Sequence, residues 1–243
     1  MKRTLAVCAL AATAAALSVN GGAAGSSPDS GRSGDRTPRP PASSFTAHVD
    51  NQWFPLEPGS RYLYTGVKDG QPTRDIMTVT HRTRTIDGVP CVVVKDTLFI
   101  RGRVGERTTD WYSQDARGNV WYFGEQTAEL DAHGHVTSTE GTWTTGVDGA
   151  EPGIYMPANP QLGHMGRQEY YKGHAEDQFK VLGLFGAVGH SAAKTTLLTQ
   201  ETTPLEPGTV DHKIYVRGIG TVVEQTEHGP NERNELISLT GGG

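Results

Sequence analysis

Glycine-bearing turns cut this chain into strand-length pieces, and beyond the N-terminal leader no window of ten or more residues carries apolar residues at a helical period. That cadence restricts the chain to an all-β fold. Asp69-Gly70 and Asp87-Gly88 are two-residue hairpin signals. Between and after them, residues 60–65, 74–84, 89–100, 104–114 and 119–125 read as strands. So do 127–130, 136–139, a short polar piece ending at Trp143, 168–171, 178–184, 195–203, 210–216, 221–225 and 232–239. Residues 146–160, with Gly146, Gly149, Gly153, Pro152, Pro157 and Pro160, read as a long loop. About twelve strands joined in sequence exceed what a flat twisted sheet tolerates, so the expectation is an antiparallel meander curled into a barrel or half-barrel.

The segment from Asp110 to Glu125 holds two of the four tryptophans and two of the eight tyrosines. Asp115-Ala116-Arg117-Gly118-Asn119 is its turn, with Gly118 free to take the left-handed conformation that a short loop requires. A three-residue loop sets Tyr112 opposite Tyr122 and Trp111 opposite Phe123, with Trp111 and Trp121 on one face. Aromatic side chains then stand on both faces of the hairpin, so both faces must be covered, one by the core and the other by more chain or by a ligand.

The first 24 residues read as a secretory signal peptide: basic Lys2 and Arg3, an apolar run from Leu5 to Leu17, and small residues at Gly22-Ala23-Ala24. The run is too short to span a bilayer. Leu5-Ala6-Val7-Cys8 precedes that run instead of following it, which argues against lipidation. Residues 25–44 are rich in Gly, Ser and Pro and read as a disordered spacer. Residues 45–243 remain as one all-β domain, expected to be secreted. The leader and spacer hold five basic and two acidic side chains, which leaves 17 basic against 25 acidic in the domain. That balance argues against nucleic acid and against an anionic membrane surface as partners. Once the leader is removed Cys91 is the lone cysteine; no intramolecular disulfide can form, and its apolar setting reads as a small buried residue.

Pro55-Leu56-Glu57-Pro58-Gly59 recurs as Pro204-Leu205-Glu206-Pro207-Gly208, which reads as one turn chemistry used twice, with Pro and Gly at the central positions. The first of these turns, the Asp110-Trp111-Tyr112 to Gly118-Asn119-Val120-Trp121-Tyr122-Phe123-Gly124-Glu125 hairpin and the Glu176-Asp177 pair resemble a family of secreted bacterial β-proteins and lipoproteins of unassigned biochemistry, over about residues 51–240. The meander is also similar, at the level of fold, to the half-barrel of lipoprotein carriers of the Lol type. The second resemblance implies a concave sheet and says little about activity.

Trp111, Tyr112, Trp121, Tyr122, Trp143 and Tyr171 are the candidate ligand-binding residues, since flat rings on a concave face suit an apolar ligand or a sugar. The expected function is a secreted, non-catalytic binding module. An extracellular hydrolase or lyase is the alternative, with Glu169, Glu176 and Asp177 as acids and Arg167 or His174 assisting. A structural envelope protein is a third. Asp148 and Glu151 are further carboxylates near loops, and the default reading of all five acids is that they are solvated on the surface. His133 and His135 on a hairpin tip supply two imidazoles and no third ligand, so no metal and no cofactor is expected. Gly189-His190-Ser191-Ala192-Ala193 resembles a nucleophile elbow but lacks its closing glycine and its α/β setting, and reads as a hairpin loop.

Overall fold

Strand after strand, inward-pointing side chains alternate with outward ones, and the chain winds these strands into one antiparallel sheet that almost closes on itself. The computed structural model describes residues 37–186 and 194–241, with one pairing near the N-terminus of Thr4–Leu5 against Leu10–Ala11. The remaining residues before 37, and residues 187–193 with the Gly189–Ala193 segment, lie outside the described residues. The strands are β1 (Phe45–Thr46), β2 (Arg61–Lys68), β3 (Gln71–Ile86), β4 (Val89–Ile100), β5 (Arg103–Asp115), β6 (Val120–Leu130), β7 (Val136–Ser138), β8 (Trp143–Thr144), β9 (Glu151–Met156), β10 (Met165–Arg167), β11 (Glu169–Tyr170), β12 (Gln178–Gly186), β13 (Lys194–Thr202), β14 (Val210–Val216), β15 (Gly220–His228) and β16 (Glu232–Thr240). The order around the sheet is β10-β12-β13-β14-β15-β16-β2-β3-β4-β5-β6-β9-β11.

Two meanders therefore meet where β16 pairs with β2, Glu232 opposite Lys68 and Thr240 opposite Arg61. Closure happens on the far side through one short stretch. Residues 165–167 pair with β12, while 169 and 170 pair with β9, and the amide of Gln168 between them donates to Asp177 O at 2.8 Å. Gly153 lies under this crossing: a Cβ there would sit 2.4 Å from Arg167 O, so the seam requires glycine. β9 is the main departure from the sequence expectation. Its Gly and Pro residues disguise it as loop, yet Pro152 lies at a sheet margin, where a missing N–H is tolerated.

The hairpin takes the three-residue loop, and Tyr112 faces Tyr122. Trp111 faces Gly124 instead of Phe123, because a bulge inserts one residue into β6. Gly124 adopts φ 137°, and a Cβ on it would lie 2.5 Å from the carbonyl of Trp143 on β8. The two aromatic faces now have separate coverings. Tyr112 and Tyr122 join the interior cluster with Tyr62, Tyr64, Trp143 and Tyr155. Trp111, Trp121 and Phe123 form a second cluster on the outside of the barrel with Ile86, Val89 and Cys91. Phe45 covers that outer cluster, edge-on to Trp121 and Phe123 at 5.9 and 5.4 Å. Thr37–Ser44, in the stretch that reads as spacer, runs alongside, with Arg39 bound to Asp87 at 2.6 Å and Ala42 packed on the cluster.

One barrel end is plugged by the segment 49–56. Asn51 organises it: its Oδ1 accepts from the amides of Trp53 and Phe54 at 2.8 and 3.1 Å, and its Nδ2 donates to Gly118 O at 2.9 Å. Phe54 then packs on Tyr112 and Tyr155, and Trp53 is 1 % exposed, with Arg217 over its ring at 4.9 Å.

Candidate functional site: the acidic interior and its mouth

Away from the plug the interior changes character. Twelve carboxylates are buried among the described residues, against two lysines, Lys68 and Lys213. Apart from Asp115, which caps the hairpin turn, and Asp177, which lies just before β12, they occupy the inward phase of their strands. Asp75 is in step with Met77 and Val79, Asp96 with Val94 and Leu98, and Glu106 and Asp110 with Tyr112. Glu125, Glu169, Asp177, Glu201, Asp211, Glu224 and Glu232 complete the lining. An ionised carboxylate without a counter-charge is disfavoured in such a setting, so burial pushes such acids toward the protonated form.

Burial raises the Asp75 pKa to about 6 and those of Glu106, Asp110 and Glu224 to about 8. It drives Asp96, Glu125 and Glu169 well above the carboxylate range, with neighbouring acids adding to the shift. Tyr122 donates to Asp110 Oδ1 at 2.6 Å, which opposes the rise at Asp110. Lys213 binds Glu201 Oε2 at 2.7 Å and lies 3.4 Å from Glu224 Oε1. Burial pulls its ammonium down, but the two acids more than offset this and raise its pKa well above the usual lysine value. Lys68 goes the other way. Burial outweighs the help of Glu232, Glu106 and Glu129 and lowers it.

At the end opposite the plug, a cleft of about 400 Å³ opens where the hairpin ends of β2–β3 and β4–β5 meet the end of β6. Lys68, Leu98 and Glu106 are buried residues that line it, and Ile100, Glu129 and Leu130, half-buried, stand around them. Charge therefore lies beside hydrocarbon within a single concavity.

The residues singled out from the sequence distribute as follows. Tyr112, Tyr122 and Trp143 are buried in the interior cluster, Trp111 and Trp121 in the outer one, where Arg84 lies 4.1 Å over Trp111. Tyr171 is half-buried and stacks on His174 at 4.4 Å. Glu169 and Asp177 come together inside the barrel, 1 % and 5 % exposed, and Asp177 adds to the rise that burial imposes on Glu169. Glu176, Arg167 and His174 do not join them. Glu176 accepts from the Gly173 amide at 2.7 Å, Arg167 lies over Tyr170 at 4.4 Å, and His174 pairs with Glu140 at 3.5 Å. Asp148 is exposed and Glu151 half-buried. His133 and His135 are exposed on a tip capped by Asp131, whose carboxylate is held below its usual value chiefly by the His135 amide. No group of three or more His, Cys, Asp or Glu among the described residues is arranged to hold a metal.

No protein-family model and no curated protein sequence matches this chain. Two solved structures resemble it distantly. One, from Bacteroides fragilis, is described as an exported protein with a YmcC-like fold; it is 14 % identical, with a TM-score of 0.43, over 79 % of this chain and all of that one. The other, from Parabacteroides distasonis, is described as a lipoprotein; it is 9 % identical, with a TM-score of 0.37, over the same shares. Likenesses of this degree bear on neither family membership nor activity.

The acidic interior is the feature that reading by composition passes over. Its signal is local: acids standing two residues from Met77, Leu98, Tyr112 or Phe179, in phase with the apolar side of the strand.

Proposed function

We propose that the protein is an exported, non-catalytic binding module whose ligand occupies the cleft at the open end of the barrel, with the aromatic hairpin serving as the frame of that barrel. The observation that carries this reading is the cleft itself: about 400 Å³, within the range of small-molecule sites, with an apolar wall of Leu98, Ile100 and Leu130 beside charged side chains. The aromatic rings favoured by the sequence pack against one another, which supports a framing role. The acid–base alternative retains Glu169 and Asp177 as a pair, but both are closed off from solvent. Native mass spectrometry of protein purified from its own host medium tests the proposal. A retained small molecule is expected in the unmodified protein, and its loss in Thr137→Trp, a change at an exposed position on the lining of the cleft. Equal retention by that variant would move the site elsewhere.

A further inference from the structure

We propose that the cleft accepts an organic cation, a protonated amine or quaternary ammonium carried on an apolar body. This deepens the binding reading and rests on it. Four acids line the cleft, Asp69, Glu106, Glu129 and Asp131, with Lys68 as the cation among its lining residues. Lys68 Nζ faces a further acid, Glu232, at 3.9 Å across the β2–β16 pairing, an ion pair beyond hydrogen-bond distance. Positive charge is therefore short in the cleft, and a ligand can supply it.

An independent observation concerns Glu106. Its Oε1 accepts from the Thr108 hydroxyl at 3.0 Å, while its Oε2 has no hydrogen-bond partner among the described residues, although the residue is 3 % exposed. A buried carboxyl oxygen left open beside a cavity is costly unless a ligand donor meets it. The charged groups that act on Glu106 include Lys68 from β2, Asp75 from β3, Asp96 from β4, and Glu125 and Glu129 from β6, so it faces one cation and several acids. Leu98, Ile100 and Leu130 then offer a wall for hydrocarbon. An anionic head group meets repulsion there, and a sugar leaves the apolar wall unused.

Protons are linked to this binding. In the empty cleft burial holds the Glu106 pKa at about 8. A bound cation favours the carboxylate, so binding releases a proton and strengthens as pH rises toward that value.

Calorimetric titration of the full chain with hexylammonium, hexanol and hexanoate separates the possibilities. Hexylammonium should bind at least tenfold more tightly than hexanoate, with hexanol between them. Glu106→Gln should weaken hexylammonium by about tenfold to a hundredfold, the range of a charge-assisted hydrogen bond, and leave hexanol unchanged. Between pH 6 and pH 8.5 hexylammonium should gain affinity in the unmodified chain and not in this variant. Should Glu106→Gln fail to fold, Glu129→Gln at a half-buried position carries the same comparison. Binding of hexanol and hexanoate as tight as that of hexylammonium, or no effect of either variant on hexylammonium, overturns the cation assignment and leaves the cleft as an apolar site. Absence of binding by all three probes overturns the cleft reading and the cation with it.

Discussion

Trp121 is the residue on which the outer half of the hairpin depends. It is 1 % exposed, meets Phe45 edge-on, and its indole donates to Asp115 Oδ2 at 2.9 Å. Asp115 also accepts from the amides of Arg117 and Asn119, so one carboxylate ties the turn to the outer cluster. Trp121→Ala should cost about 3–5 kcal/mol, against a total for a domain of about 5–15 kcal/mol. Thermal unfolding should show a large drop for this variant and little change for His133→Ala or His135→Ala, whose exposed rings leave almost nothing to lose. A histidine variant as damaging as Trp121→Ala would mean that the tip has a role its geometry does not reveal. Cys91 stays inert at this scale. Burial pushes its thiol up to about 12, so alkylating reagents at neutral pH should leave the native protein unmodified.

Among the elements, the seam is where the barrel is most easily opened. The segment 165–170 divides its pairing between β12 and β9, and only Gly153 allows the two backbones so close. Gly153→Ala places a methyl group against the Arg167 and Gln168 carbonyls, at 2.4 and 2.7 Å. Hydrogen exchange should therefore quicken across residues 165–170 while β3–β5 keep their protection. Uniform protection across the seam would show that β9 can shift without releasing it. The repeated Pro-Leu-Glu-Pro-Gly turns show the opposite case, where local chemistry suffices. Ser60 donates to Glu57 O at 3.0 Å and Thr209 to Glu206 O at 3.1 Å, with φ 92° at both Gly59 and Gly208.

For the whole molecule the acidic interior sets the dependence of stability on pH. Asp75, Glu106, Asp110 and Glu224 have folded pKa values of about 6 to 8, above the ordinary carboxylate range near 4, so the native state binds more protons than the unfolded one. The stabilisation they give is full below the unfolded value and is lost as pH rises through the folded one. Each such group lowers stability by about 1.4 kcal/mol per pH unit across its own window. Denaturant unfolding should thus show the protein more stable at pH 5 than at pH 8. Asp96→Asn, which removes an acid that burial keeps protonated, should flatten that slope. A stability that rises from pH 5 to pH 8 would require counter-charges inside the barrel that these residues do not supply.

Strand cadence, turn positions and the Tyr112–Tyr122 register were legible in the sequence because each depends on short-range chemistry: a side-chain period of two, and φ values open to glycine. β9 was not, since its identity as a strand depends on a partner more than thirty residues earlier. The bulge at Gly124 depends in the same way on the backbone of β8. For the candidate site the division is sharper. Glu106, Lys68 and Leu130 lie far apart along the chain and have no common motif. Only curling of the sheet puts them at one mouth, and only the burial that follows lets the Glu106 carboxyl keep a proton that an exposed acid gives up in water.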